Sequence, residues 1–443
     1  MTTFAAGPAG LLDELRWRGM FHAASEGLEA RLRTGVTISG YIGFDPSAPW
    51  LHIGHLVPIF GLLHLQRHGG RPVALVGGGT GMIGDPSGRS TERNLLDAET
   101  LATNVVAIRA SLEKFLDFEG PNGALMVNNL DWLASMTMIE FLRDVGKHFT
   151  IPYMLAKDSV QARLDRGLSY TEFSYMLLQS ADFAHLHRTM GVDLQMGGAD
   201  QWGNITAGLE LIRRAGAADT GDSPGSGASE AAYALAYPLL LSPSGTKFGK
   251  SAEGEAVWLD PTRTSPFAFY QHWLNTDDHD VGVYLRWFTT MSPDEIEALE
   301  AELASDPGAR AAQRALALDV TARTHGREIA LQVAQDAIAL FAADPIRDPA
   351  LLERLWKSVG GFSVDAASLS GSDRSLGTAA SILATAGVFA SNGEARRMIQ
   401  NGGLTINGEP IRDQAAVMPE AIDGVWWEVR IGKRRRVIGC LAK

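Results

Sequence analysis

The first half of the chain alternates two hydrophobic periods, and this limits its fold more than any other feature. Short apolar runs read as strands: "VTISGYIGF" (36–44), "RPVALVGG" (71–78), "ALMVNN" (124–129), "VDLQMGG" (192–198) and "YALAYPLLL" (233–241). Between the first two, the stretch from Gly54 to His68 places Leu56, Ile59, Phe60, Leu63 and Leu65 mostly at the helical period. Pro58 falls in the first turn, where a missing N–H costs nothing. Strands separated by helices predict an α/β fold with a parallel sheet and crossover connections. Ligands of such sheets bind beyond the carboxyl ends of the strands. "GFDP", "GGGTGMIGDPSG", "NN" and "GGADQWGN" all stand at those ends.

The 443 residues, 45% of them apolar, suit two to three soluble domains. The longest apolar runs, such as "LAYPLLL" (235–241), fall far short of the roughly 20 residues that span a bilayer. The start, "MTTFAAGPAG", has no basic stretch leading into an apolar one, so no secretory signal is expected. The single cysteine, Cys440, cannot form an internal disulfide and removes thiolate-rich zinc sites; it fits a reducing cytoplasm. A net charge of −12 argues against a surface that binds nucleic acid everywhere. From Leu376 to Lys443, however, nine basic residues face six acidic ones. A basic module on an acidic body predicts a polyanion held at one place.

Residues 216–230, "GAADTGDSPGSGASE", read as a flexible surface loop. Ser292 to Ala342 reads as helical, and 343–375, rich in Pro, Asp, Ser and Gly, as a linker region. The end reads as a compact α+β segment: helix, Gly turn and strand in "EARRMIQNGGLTINGEPI", then two strands joined by a basic turn in "GVWWEVRIGKRRRVIGCL".

Three motif matches fail on context. "GTGMIG" (79–84) follows a strand as a dinucleotide fingerprint would, but "DPSG" follows where a helix should open. "GDSPG" (221–225) matches a nucleophile elbow but has no strand before it. "GTKFGKS" (245–251) lacks the first P-loop glycine, Ser244 standing there. Two features survive. His52 and His55 flank Gly54 at a loop-to-helix junction, where backbone N–H groups favour anions and the bare glycine admits a base or phosphate. Buried core histidines are the competing reading; a metal site lacks further ligands. Lys247, Lys250 and Ser251 in a Gly-containing loop suit a leaving polyphosphate, with a solvated turn as the alternative.

"HIGH" (52–55) and "KFGKS" (247–251) resemble the two signature motifs of class I aminoacyl-tRNA synthetases. The blocks "YIGFDPSAPWLHIGHL", "ALVGGGTGMIGDPSGR", "LRDVGKHFT", "TEFSYMLLQSADF", "GGADQWGNITAGLELIR" and "GTKFGKS" are similar, in order, to the bacterial tyrosyl-tRNA synthetase family from about residue 10 to 345. The C-terminal segment resembles that family's small RNA-binding module, shared with a ribosomal protein family.

That resemblance implies a Rossmann-like catalytic domain over 1–255, with a dimer-forming insertion around 126–160. A helical anticodon-side domain (256–345), a linker (346–375) and an RNA-binding domain (376–443) would follow. It implies ATP as substrate with Mg²⁺, no tightly bound protein metal, L-tyrosine and tRNA(Tyr) as partners, a homodimer, no membrane and a cytoplasmic site. By likeness, His52, His55, Lys247, Lys250, Arg89 and Arg93 would stabilise the reacting phosphates. Tyr41 and Asp182 would read the phenol; Asp85, Tyr175 and Gln179 would accept from the ammonium, with Gln195 and Gln201 on the same side. Gly43, Asp45, Gly54, Gly198, Asp200, Lys250 and Ser251 would contact ATP or the adenylate. Arg396, Arg397, Lys433, Arg434, Arg435 and Arg436 would contact the tRNA backbone. Tyr175, Gln179 and Asp182, at i, i+4 and i+7 on a predicted helix, share one face. The alternatives are a nucleotidyltransferase that adenylates a small acid without tRNA, and a non-catalytic RNA-binding paralogue.

Overall fold

The computed structural model describes residues 7–85, 97–157, 160–161, 164, 167–220, 231–240, 248, 255–369, 377–432 and 435–442. Two compact units divide the chain: Met1–Arg263 with Thr276–Leu316, and Thr264–Asn275 with Ala317–Lys443.

The first unit is built on a six-stranded sheet. Its strands are β1 (Ala23–Ala24), β2 (Ser39–Phe44), β3 (Arg71–Val76), β4 (Leu125–Asn128), β5 (Leu194–Gly198) and β6 (Tyr233–Tyr237), in the order β1-β6-β5-β2-β3-β4. β2 to β6 run parallel and β1 pairs antiparallel with β6. From β2 the chain moves outward through β3 and β4, then returns on the other side through β5 and β6. The strand order therefore reverses between β2 and β5, and loops leaving those two strands part to open a crevice. Val73, Ala74, Leu75 and Val76 of β3 are all buried, so this strand is apolar without alternation, as a strand covered on both faces must be.

The helix Leu56–Arg67 crosses from β2 to β3 and buries Leu56, Ile59, Phe60, Leu62, Leu63 and Leu65. The helix Tyr170–Met190 starts on a Ser169 side chain that accepts from Glu172 N and stops at Gly191, whose φ of 63° is the left-handed turn glycine tolerates. It packs on the helix Trp202–Thr220. Residues 216–220, expected as loop, thus continue a helix; alanines at 215, 217 and 218 favour it over the loop signal of the glycine. Residues 221–230 lie outside the described residues.

A buried polar cluster joins the unit's first helix, Leu11–Trp17, to the far end of Leu56–Arg67. Glu14 accepts from Arg18 Nε at 2.7 Å and meets His68 Nε2 at 2.6 Å. Burial would raise the pKa of its carboxyl, but the His68 contact and the neighbouring His64 and Arg18 hold it far below the usual range. Arg18 also donates to the carbonyls of Arg286, Thr289 and Met291.

The second unit contains a five-stranded sheet: β7 (Gly361–Asp365), β8 (Leu404–Ile406), β9 (Glu409–Pro410), β10 (Trp426–Ile431) and β11 (Arg435–Ala442), ordered β7-β11-β10-β8-β9. Its core gathers Phe362, Leu383, Ile399, Ile406, Trp427 and Val429. The expected division of the chain differs from this structure in two places. Residues 276–316, assigned to a helical domain, belong to the first unit. The expected linker 346–375 holds the helix Pro349–Val359 and strand β7, which pairs parallel with β11. Its Asp348 is a helix cap, accepting from Ala350 N, and its Gly, Ser and Asp alternate outward around buried Phe362 and Val364.

Candidate active site

A cavity of about 460 Å³ opens at the carboxyl ends of β2 and β5. Its walls include His52, Gly54 and His55, the strand-end residues Gly43, Asp45, Gly198 and Asp200, and the seven residues Tyr41, Asp85, Tyr175, Gln179, Asp182, Gln195 and Gln201. Every one of these was a candidate from the sequence. Arg89, Arg93, Lys247, Lys250 and Ser251 lie outside the described residues.

At one end the two histidines form a reciprocal cap on the turn Ile53–His55. His52 Nδ1 accepts from Gly54 N at 3.0 Å, and His55 Nδ1 accepts from His52 N at 3.1 Å. Burial lowers the pKa of both; His55, which also feels His52, falls to about 3. A neutral imidazole that accepts at Nδ1 carries its proton on Nε2, so His52 presents a donor there. His55 Nδ1 also lies 3.3 Å from His52 O, and in the tautomer that accepts from His52 N it presents the same donor. A Cβ at Gly54 would stand 2.7 Å from His52 Cε1 and 3.1 Å from Phe248 O, so only glycine leaves this floor open. The stretch after the lysine loop is tied to the same motif: Ile53 N bonds Val257 O at 2.9 Å and Leu259 N bonds Leu51 O at 2.8 Å. Within the loop, Phe248 N bonds Leu240 O and its ring stacks on Phe288 at 5.2 Å.

The other end is a buried polar slot. Tyr41 Oη is buried with no hydrogen-bond partner among the described residues. Burial first, and then the charge of Asp182, push its pKa well above the usual phenol range. Burial also raises Asp182, to about 7, against the pull of two donors. Those donors are Asn129 Nδ2 to Oδ2 and Trp132 Nε1 to Oδ1, both at 2.8 Å. Asn129 is itself locked: its Oδ1 accepts from Gly79 N at 2.8 Å and its Nδ2 reaches Thr80 Oγ1. Along one side, Gln201 Nε2 donates to Asp85 Oδ2 at 2.8 Å, and Asn204 Nδ2 reaches both Gln179 Oε1 and Gln201 Oε1.

The cavity therefore offers neutral imidazoles at one end and an unpartnered hydroxyl with a buried carboxylate at the other. Against known proteins, the family model for class I tRNA synthetases (W and Y) matches residues 34–342. A tyrosine–tRNA ligase of Anaeromyxobacter dehalogenans is 48% identical over 426 residues, 96% of this chain and 97% of that protein. The tyrosine–tRNA ligase of Geobacillus stearothermophilus is 45% identical, covering 96% of this chain and 98% of the relative. The chain belongs to the tyrosine–tRNA ligase family of class I tRNA synthetases. The C-terminally truncated mitochondrial tyrosyl-tRNA synthetase of Coccidioides posadasii shares this synthetase fold. It has a TM-score of 0.65 at 32% identity, over 74% of this chain and 91% of that one.

The synthetase's basic residues are less uniform than the sequence implied. Arg396 and Arg397, on the helix Asn392–Gln400, and Arg435 are exposed. Lys433 and Arg434 lie outside the described residues. Arg436 is a correction: its side chain is 3% exposed and pairs with Glu428, itself 1% exposed, at 2.7 Å. It also donates to the carbonyls of Ala339, Ala342 and Asp344 at the end of the helix Arg327–Phe341. The strand alternation that turns Arg435 outward turns Arg436 inward, where a cation suits a helix C-terminus.

Sequence reasoning missed Asn129, Trp132, Thr80 and Asn204. The "NN" at the end of β4 was a visible signal, whereas Trp132 and Asn204 gave none beyond position. Among the described residues, no group of three or more His, Cys, Asp and Glu side chains could hold a metal ion, and no helix is long and apolar enough to cross a membrane.

Proposed function

We propose that the chain activates L-tyrosine with ATP, giving tyrosyl-adenylate and pyrophosphate, and passes the tyrosyl group to the 3′-terminal adenosine of tRNA(Tyr). The supporting observation is the unpartnered, buried Tyr41 hydroxyl beside Asp182. Tyr41 stays protonated and donates to the substrate phenol, which donates in turn to Asp182. Phenylalanine would leave the Tyr41 hydroxyl buried and unpaired and would give Asp182 no donor in place of the phenol, which is costly. The substrate ammonium finds acceptors in Asp85, Tyr175 and Gln179.

The first step is in-line attack by the tyrosine carboxylate on the α-phosphate. That nucleophile is already ionised, so the step needs placement and charge stabilisation rather than a general base. The neutral Nε2–H donors of His52 and His55, with Lys247, Lys250, Arg89 and Arg93, meet charge building on the departing pyrophosphate. Gly43, Asp45, Gly54, Gly198 and Asp200 form the nucleotide floor, and Ser251 is a further ATP contact. Mg²⁺ enters on ATP as a charge partner of its phosphates, without a protein cage.

Arg396, Arg397 and Arg435 are the exposed cations that suit the tRNA backbone. Met138 and Ile139, 76% and 71% exposed, with Leu142 and Ile151, give the 126–160 segment an apolar face that fits a homodimer interface. The reducing, tRNA-containing cytoplasm is the compartment this reaction needs. The test is tyrosine-dependent exchange of pyrophosphate into ATP, followed by charging of tRNA(Tyr). Absence of exchange with tyrosine refutes the reading, and exchange without charging of any tRNA favours adenylation of a free acid.

A further inference from the structure

Asp182 sits in the helix Tyr170–Met190, and its two oxygens are held differently. Asn129, on Oδ2, is fully buried and anchored at both ends of its amide. Trp132, on Oδ1, is partly exposed and rides on the short helix Leu130–Leu133. Its side chain packs against the apolar cluster that includes Val73, Leu75 and Phe183, and it stacks on the ring of His185 at 4.4 Å with the planes only 12° apart. His185 is three residues after Asp182, on the same helix. One helix therefore carries both the carboxylate and the flat surface that orients one of its donors.

A hydrogen bond weakens steeply as the donor swings off line. An indole pinned between a packed cluster and a parallel ring keeps its N–H on Oδ1. Without that ring the indole gains torsional freedom, and the carboxylate loses half of its fixation. We propose that His185 is a positioning residue which, through Trp132, aims Asp182 at the substrate phenol and so helps set the preference for tyrosine over phenylalanine. This rests on the tyrosine reading of the cavity. His185 touches no substrate atom and moves no proton; its part is geometric, so any flat ring of similar size should serve.

The experiment measures tyrosine- and phenylalanine-dependent pyrophosphate exchange for the unmodified 443-residue chain and four variants. His185→Ala is expected to raise KM for tyrosine and lower the Tyr:Phe ratio of kcat/KM by about tenfold, ~1.4 kcal/mol. KM for ATP should stay within about twofold. His185→Phe, which keeps the plane, should restore most of the ratio. Trp132→Phe, which keeps a ring but removes the N–H, should lose at least as much as His185→Ala. The double variant Trp132→Phe/His185→Ala should lose no more than Trp132→Phe alone, because the two residues act through one hydrogen bond. An unchanged ratio in a folded His185→Ala, additive losses in the double variant, or failure of His185→Phe to rescue would each overturn the proposal while leaving the tyrosine reading intact. Failure of the unmodified chain to prefer tyrosine would instead overturn that reading.

Discussion

Replacing Arg436 by alanine separates what the basic turn looks like in sequence from what it does in the fold. The guanidinium lies 2.7 Å from Glu428, with side-chain exposures of 3% and 1%, and caps three carbonyls at 2.6, 3.0 and 2.8 Å. Alanine leaves a carboxylate buried without this partner and the carbonyls without this donor. Breaking a buried pair from one side costs about 3–5 kcal/mol. Arg430 offsets part of the loss: it still donates to the carbonyls of Ala342 and Ala343, and while burial raises the pKa of Glu428, the charge of Arg430 works against that rise. The lower end, ~3 kcal/mol, is therefore expected, a roughly hundredfold change in local opening. Because the two units need not unfold together, a single melting point is the wrong measure. Hydrogen exchange in the intact chain is the right one: amides of β10 and β11 should exchange about a hundredfold faster, with adenylate formation unchanged. The uncharged pair Glu428→Gln with Arg436→Met should recover much of the protection, since no charge is then stranded. If Arg436→Ala leaves exchange within about threefold of the parent and only raises KM for tRNA, the residue is a surface phosphate contact and the reasoning fails.

The Asp182 carboxyl, raised by burial to about 7, is ionised above that pH and neutral below it. A neutral carboxyl accepts more weakly, so the Tyr:Phe ratio of kcat/KM should fall as pH drops through about 7; the ratio cancels the titration of ATP. A ratio that stays constant from about pH 6 to about pH 8 would count against Asp182 as the phenol's acceptor. Gly54→Ala would place a Cβ 2.7 Å from His52 Cε1 and 3.1 Å from Phe248 O. It should slow tyrosine activation by at least about tenfold with little change in KM for tyrosine. A turnover within about twofold of the parent would show that the floor has room to spare.

Legibility followed the range of the interactions. The helical face of Tyr175, Gln179 and Asp182 was readable because a 3.6-residue period is local, and all three do line the cavity. The strands were readable because the apolar runs are short and bounded by turn formers: glycine or asparagine around β3, β4 and β5, Asp45 after β2 and Pro238 after β6. Residues 349–365 were misread as linker because caps and short strands share the Pro, Asp, Ser and Gly of true linkers. Arg436 was misplaced because a run of basic residues carries no mark of which strand face each one takes. Trp132 and His185 were invisible: they lie 53 positions apart in sequence, and only helix packing brings their rings to 4.4 Å.

By itself the sequence determined the alternating α/β plan, the strand ends where chemistry could gather, and the residue types able to bind phosphate and a phenol. These follow from periodicity, turn propensity and side-chain inventory, all properties of short stretches of chain. Only the tertiary structure decided the charge states. His52 and His55 are neutral because burial makes them so, and Asp182 titrates near neutrality because burial outweighs the pull of its two donors. Desolvation and alignment depend on what surrounds a group, and its surroundings come from residues distant in the chain.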